Sequence, residues 1–205
     1  MIKAVFFDID GTLVSFKTHV VPKSTLHAIE LLKKKGIKVF IATGRHRRSI
    51  NNLGDLGFDG YVTLNRGYVQ EDEIFMNYTD KAVNDVFHLL NFPAPPIRPI
   101  EDIYGKTVYQ LIAFFTAEQE KRIMKVLSHC ESTRWNPLFT DIVPLGSSKR
   151  VGIDKMLEHY HIGLDECMAF GDGGNDIQML SHVGIGVAMG NAAEDVMSAA
   201  GYVTT

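Results

Sequence analysis

The chain reads as an α/β protein: a Rossmann-like, three-layer core built on a parallel sheet, with a small α+β cap inserted into it. Three observations predict this. Short apolar runs alternate with helix-patterned stretches over the first 64 residues, the texture of βαβ units. The same alternation returns in the last third of the chain. Between them the pattern loosens, and Phe92–Pro99 holds four prolines that exclude a helix or a central strand. The core is therefore assigned to residues 1–76 and 143–205, and the cap to 77–142.

The elements follow in order. Residues 2–8 form an apolar strand that runs straight into Asp8 and Asp10 and breaks at Gly11-Thr12. A helix over 22–35 has Pro22 early, Lys33-Lys34-Lys35 late and Gly36 at the stop, the expected polarity of helix signals. Ile37–Ala42 is a second buried strand, ending in Thr43-Gly44-Arg45, with a helical stretch to about Leu53 and a third strand over Gly60–Leu64. In the middle, Tyr68–Gln70 and Glu73–Met76 read as a hairpin, 80–90 as a helix and Thr107–Phe115 as a strand. Thr116-Ala-Glu-Gln119 is a capping box that opens a helix to about Leu127. Trp135 and Ile142 lie on short strands. The last third carries a helix over 149–160, a strand over Cys167–Phe170 and the loop Gly171–Asp176, which leads into a helix. A strand over Gly184–Ala188, a short helix from about 192 and a last strand at Tyr202-Val203 close the core.

Two acidic loops thus follow two buried strands. In open α/β sheets ligands bind beyond the carboxyl ends of the strands, so Asp8 and Asp10 are expected to converge there with Asp172 and Asp176. Acids held that close repel one another and call for a cation. Oxygen ligands without nitrogen or sulfur suit Mg²⁺, not zinc. Such a site, with Thr43 and a lysine nearby, can neutralise and hydrogen-bond a phosphate group. One carboxylate can attack phosphorus while another serves as acid and then base; Asp8 and Asp10 fit that pair of roles. Arg45 reads as a surface or structural residue, and Trp135 as packing within the cap.

Composition narrows the partners. A chain of 205 residues with 22% charged residues and a net charge of −3 has no basic surface for nucleic acid or anionic membranes. Its two cysteines, Cys130 and Cys167, form neither a metal pattern nor a disulfide framework, which points to the cytoplasm. No segment is long enough to span a bilayer. A monomer or weak homodimer acting on a small phosphoester is expected.

These residues carry a family resemblance. Asp8-Ile-Asp-Gly-Thr-Leu13 resembles the first motif of the haloacid dehalogenase superfamily, Ile41-Ala-Thr-Gly-Arg45 the second, and Gly171-Asp-Gly-Gly-Asn-Asp176 the fourth. Val187–Ala192 with Tyr202-Val-Thr204 is similar to the Cof-type phosphatases of subclass IIB, whose cap lies between the second and third motifs. The resemblance implies a Mg²⁺-dependent phosphatase for small phosphomonoesters, chiefly sugar phosphates, that works through an aspartyl-phosphate. Asp8 is implied as nucleophile and metal ligand, and Asp10 as acid/base with its backbone oxygen on the metal. Asp172 and Asp176 complete the metal set. Ile9, Thr43, Gly44 and Asn175 are implied as phosphate contacts. The third motif's lysine maps to Lys149, with Lys155 as competitor, and Arg150 stands where the family usually has glycine. The insert is shorter than is usual for such caps. The rival readings are a phosphosugar mutase of the same subclass and a non-catalytic phospholigand-binding domain.

Overall fold

The computed structural model describes residues 1–50, 53–54, 56–64 and 73–205. The chain divides into two compact units, Met1–Tyr68 with Ser147–Thr205, and Val69–Gly146.

The first unit is a six-stranded sheet. Its strands are β1 (Ala4–Phe7), β2 (Lys38–Ala42), β3 (Gly60–Val62), β7 (Cys167–Gly171), β8 (Ile185–Ala188) and β9 (Tyr202–Val203). They lie in the order β3-β2-β1-β7-β8-β9, and every pairing is parallel. Residues of β1 alternate between faces, as a pleated strand requires. Ala4 and Phe6 enter one core with Phe40, Val62 and Ala169, closed by Ile153 and Leu157 of helix α4 (Lys149–Tyr160). Val5 and Phe7 enter the opposite core with Val39 and Ile41, closed by Ile29 of helix α1 (Lys23–Lys34). Both faces are covered, so β1 is apolar throughout and all four of its residues are buried. Phe6 stacks on Phe40 at 4.7 Å between ring centroids. Gly152 lets α4 press onto β3, since a Cβ there would sit 2.2 Å from Val62 Cγ1. Helices α5 (Ile177–Leu180) and α6 (Glu194–Ala199) complete the unit.

The chain leaves β1 for β2 on one side and returns beside β1 as β7 on the other. The crevice beyond the carboxyl end of β1 is therefore the switch point of the sheet, where the backbone diverges and ligands are admitted.

The second unit has a three-stranded antiparallel sheet in the order β4-β6-β5, from β4 (Leu111–Ala113), β5 (Cys130–Asn136) and β6 (Phe139–Pro144). Helices α2 (Lys81–Leu89) and α3 (Ala117–Ile123) accompany it. Central β6 is buried from Phe139 to Val143. Thr116 and Gln119 form the capping box reciprocally, each side chain accepting the other's backbone N–H. The strand expected over Thr107–Phe115 is confined to β4, because an edge strand forms a ladder only where a neighbour opposes it, here Thr140–Ile142. The first strand of the expected hairpin, Tyr68–Gln70, lies outside the described residues; Met76 makes a parallel bridge to Ile97 in the proline segment. The helix expected after Arg45 is a single 3₁₀ turn, Arg47–Ser49, in the described part of that stretch. Among the described residues no helix is long and apolar enough to cross a membrane.

Candidate active site

The site is built from three loops that leave neighbouring strands of the first unit. Asp8 continues the β1 ladder by donating its N–H to the Phe170 carbonyl at 3.0 Å, and is 6% exposed. Ile9, fully buried, accepts the N–H of Val14 at 2.8 Å, while Gly11 donates to Val14 at 2.9 Å. This tight turn needs Gly11: its φ is +84°, and a Cβ there would lie 2.0 Å from Asp172 Oδ2. The first and fourth motif loops are therefore in contact through a glycine.

Asp172 follows β7. Its Oδ1 accepts the Thr12 hydroxyl at 2.8 Å and its Oδ2 accepts the Asn191 amide at 3.0 Å. Asp176 is fully buried; its Oδ2 accepts the backbone N–H groups of Asp172 and Gly173 at 3.0 and 2.9 Å. Lys149, the first residue of α4, is also fully buried. Its ammonium donates to Asp8 Oδ1 at 2.6 Å and to Asp176 Oδ1 at 2.5 Å. Ser148 accepts the Val151 N–H and caps the helix, which fixes where the lysine starts. Lys155, two turns along, is exposed. Geometry thus brings Lys149, not Lys155, to the acids.

Thr43, 1% exposed, directly follows β2. Its Oγ1 accepts the Arg45 N–H at 3.1 Å, so its own proton points elsewhere and is free to donate. Gly44 is half-buried between them. Asn175 is half-buried in the fourth-motif loop, and its side chain has no partner among the described residues. The Asp10 carboxylate turns to Arg45, whose Nε and Nη2 reach Oδ2 and Oδ1 at 2.6 and 2.5 Å.

Asp8, Asp172 and Asp176 each offer a carboxylate oxygen within 4.8 Å of the others. Three buried or half-buried acids face one lysine. Burial, reinforced by the charges of Asp176, Asp172 and Asp10, drives the Asp8 carboxyl well above its usual range against the pull of Lys149. Burial and the Asp176 charge push Asp172 up to about 6, although Thr12, Lys149 and Asn191 oppose them. Burial alone would lower Lys149; the carboxylates of Asp176 and Asp8 hold it above its ordinary value instead. Charge is thus left uncompensated, and the donors are all oxygen. A hard divalent cation fits both conditions.

Sequence reasoning took Asp8, Asp10, Asp172, Asp176 and Lys149 into one site; the geometry assembles all of these side chains but that of Asp10, whose carboxylate is held by Arg45 outside the three-acid cluster. It did not single out Thr12 and Asn191, which orient Asp172, and it placed Arg45 outside the chemistry. The available signal was membership: Thr12 lies inside the first motif, Asp8–Leu13, and Asn191 inside the stretch Val187–Ala192.

The family model of haloacid dehalogenase-like hydrolases matches residues 5–95 and 68–205. "Putative phosphatase YkrA" of Bacillus subtilis (strain 168) is 33% identical over 242 residues, covering 98% of this chain and 91% of its own. Among solved structures, the HAD subclass IIB sugar phosphatase BT4131 superposes with a TM-score of 0.90 at 40% identity, covering 98% of this chain and 93% of that one. BT1666 from Bacteroides thetaiotaomicron, a phosphatase of the same superfamily, does so with a TM-score of 0.88 at 34% identity, covering 100% and 90%. The parallel sheet, the acids at its switch point and these matches together place the chain in the haloacid dehalogenase-like hydrolase family, among the Cof-type phosphatases of subclass IIB.

Proposed function

We propose that this protein hydrolyses small phosphomonoesters, sugar phosphates foremost, with Mg²⁺ and through a phosphorylated Asp8. The observation that carries the reading is the position of Lys149. Its Nζ lies 2.6 Å from Asp8 Oδ1 and 2.5 Å from Asp176 Oδ1, and an Asp172 oxygen lies within 4.8 Å of both acids. A carboxylate paired this way has one oxygen fixed by an ammonium, and the other is left to attack phosphorus.

Asp8 and Asp172, with the backbone oxygen of Asp10, would hold the ion, and Asp176 would support them from the floor of the loop. When bound, Mg²⁺ supplies charge neutralisation for the phosphoryl oxygens. The chain's own groups do the rest. The Thr43 hydroxyl, the Lys149 ammonium and the Asn175 amide donate to phosphate oxygens, with the backbone of Ile9 and Gly44 as further phosphate contacts. Asp8 Oδ attacks phosphorus as the P–O bond to the alcohol breaks, and Asp10 gives the departing oxygen a proton. Water then attacks phosphorus, yields a proton to Asp10 and frees Asp8. BT4131 is named a sugar phosphatase, which supports that substrate class here.

The test is phosphate release from a panel of sugar phosphates and nucleotides, with Mg²⁺ and with EDTA. Wild-type protein should turn over in Mg²⁺ alone. Asp8→Asn should lose activity by a factor on the order of 10⁴ or more while retaining the native circular dichroism and melting profile. Normal turnover by that variant would end the assignment of Asp8 as nucleophile.

A further inference from the structure

Arg45 and Asp10 lie on neighbouring loops. Phe7 of β1 pairs with Ile41 of β2, and the two residues stand shortly beyond the ends of those strands. Their side chains are 11% and 17% exposed. The guanidinium presents Nε and Nη2 to the two carboxylate oxygens at 2.6 and 2.5 Å, and Nη1 donates to the Ser49 carbonyl at 3.2 Å. Such a fork matches a planar carboxylate and fixes its rotation, which a point charge cannot do. The same residue's backbone N–H holds the Thr43 hydroxyl at 3.1 Å.

We infer that Arg45 is a positioning residue for proton transfer: its guanidinium sets the orientation of the Asp10 carboxyl, on which delivery of a proton to the departing alcohol depends. The inference rests on the phosphatase reading and deepens it. Asp10 gives up its proton as the ester P–O bond breaks and the Asp8–phosphorus bond forms; the attacking water later returns one as the Asp8–phosphorus bond breaks. Arg45 exchanges no proton. Its role is geometric, and a displacement of the order of 1 Å costs about 100-fold in rate.

A purely structural role and a positioning role differ in one readout. An alkoxide needs a proton as it leaves, whereas p-nitrophenolate departs as a stable anion. We compare kcat/KM for a hexose 6-phosphate and for p-nitrophenyl phosphate, both with Mg²⁺, in wild type, Arg45→Ala, Arg45→Lys and Asp10→Asn. Arg45→Ala should fall about 100-fold on the sugar phosphate and less than about 5-fold on the aryl ester. Arg45→Lys, which keeps charge but loses the fork, should show the same split at smaller size; it carries the test if the alanine variant melts below assay temperature. Asp10→Asn should show the split too, and adding Arg45→Ala to it should cost little more. An equal fall on both esters, or no fall on the sugar phosphate, overturns the inference. If Asp10→Asn shows the split and the Arg45 variants do not, only the role of Arg45 fails. If wild type hydrolyses neither ester, the phosphatase reading fails and takes this inference with it.

Discussion

Each compact unit buries acids, and the two clusters are balanced differently. In the second unit, Glu120 accepts from Arg134 at 2.7 Å and Thr140 at 3.3 Å, and Asp141 accepts from Gln110 at 3.0 Å and Trp135 at 3.1 Å. Arg134 further donates to the carbonyls of Phe115, Asn136, Pro137 and Phe139. Burial alone would raise Glu120; hydrogen bonds from Ser132, Arg134 and Thr140, with the Arg134 charge, bring it below its ordinary value. In the first unit burial and mutual repulsion win instead, and Asp8 and Asp172 both rise. One set of acids holds a sheet together with the donors it already has. The other offers three carboxylate oxygens, within 4.8 Å of one another, to a cation. The two raised carboxyls, Asp8 and Asp172, thus stand at the strand ends of the first unit, and the lowered one, Glu120, is tied into the sheet of the second.

Four measurements break or sharpen that contrast. The largest effect is expected from Lys149→Ala, which strands Asp8 and Asp176 without their cation. Loss of one partner of a buried pair costs about 3–5 kcal/mol, read by urea unfolding in EDTA, and the loss should shrink when Mg²⁺ is added. A variant as stable as wild type in EDTA would show that Lys149 does not neutralise the acids.

Next comes Asp172→Asn. An aspartate raised to about 6 in the folded state against 3.8 unfolded binds more protons when folded. Its penalty is absent below pH 4, grows as pH rises through that window, and is complete above pH 6. The variant should therefore be more stable than metal-free wild type by about 2–3 kcal/mol at pH 8 and no more stable at pH 4. Mg²⁺ should stabilise wild type and leave the variant unmoved. A constant difference across pH would refute the charge argument.

Asn191→Ala removes one of the two donors that orient Asp172. Outer contacts of this kind change metal affinity by a factor of roughly 10–100, which titration calorimetry with Mg²⁺ reads directly; unchanged affinity would remove Asn191 from the site.

The smallest effect is expected from Glu120→Gln, with the opposite sign to Asp172→Asn. A lowered carboxylate contributes stability above its unfolded value, and this is lost as pH falls through the folded one. The variant should be less stable than wild type by about 1 kcal/mol at pH 7, lose that difference progressively as the solution is acidified, and be indifferent to Mg²⁺. A gain in stability at pH 7 would mean that the two clusters are alike.

Much of this was legible before the fold was known. Ala4–Phe7, Val39–Ala42 and Cys167–Gly171 are apolar on both faces, and only a covered parallel strand needs that. The capping box at Thr116 and the helix of Lys149–Tyr160 follow from local signals. The short edge strand at Leu111–Ala113 did not, because its length depends on what β6 presents. Trp135 stands edge-on to Phe139 at 4.8 Å and donates to Asp141, contacts that follow from the pairing of β5 with β6.

The residue types by themselves determined most of the elements and the acids at the strand ends, because hydrophobic periodicity is local. Which partners those acids take was decided only when strands β2, β1 and β7 lay side by side. Lys149 reaches Asp8 across 141 positions and Arg45 reaches Asp10 across 35. Hydrogen bonds act over about 3 Å, and no spacing along the chain encodes a distance of that kind between loops that the sheet alone brings together.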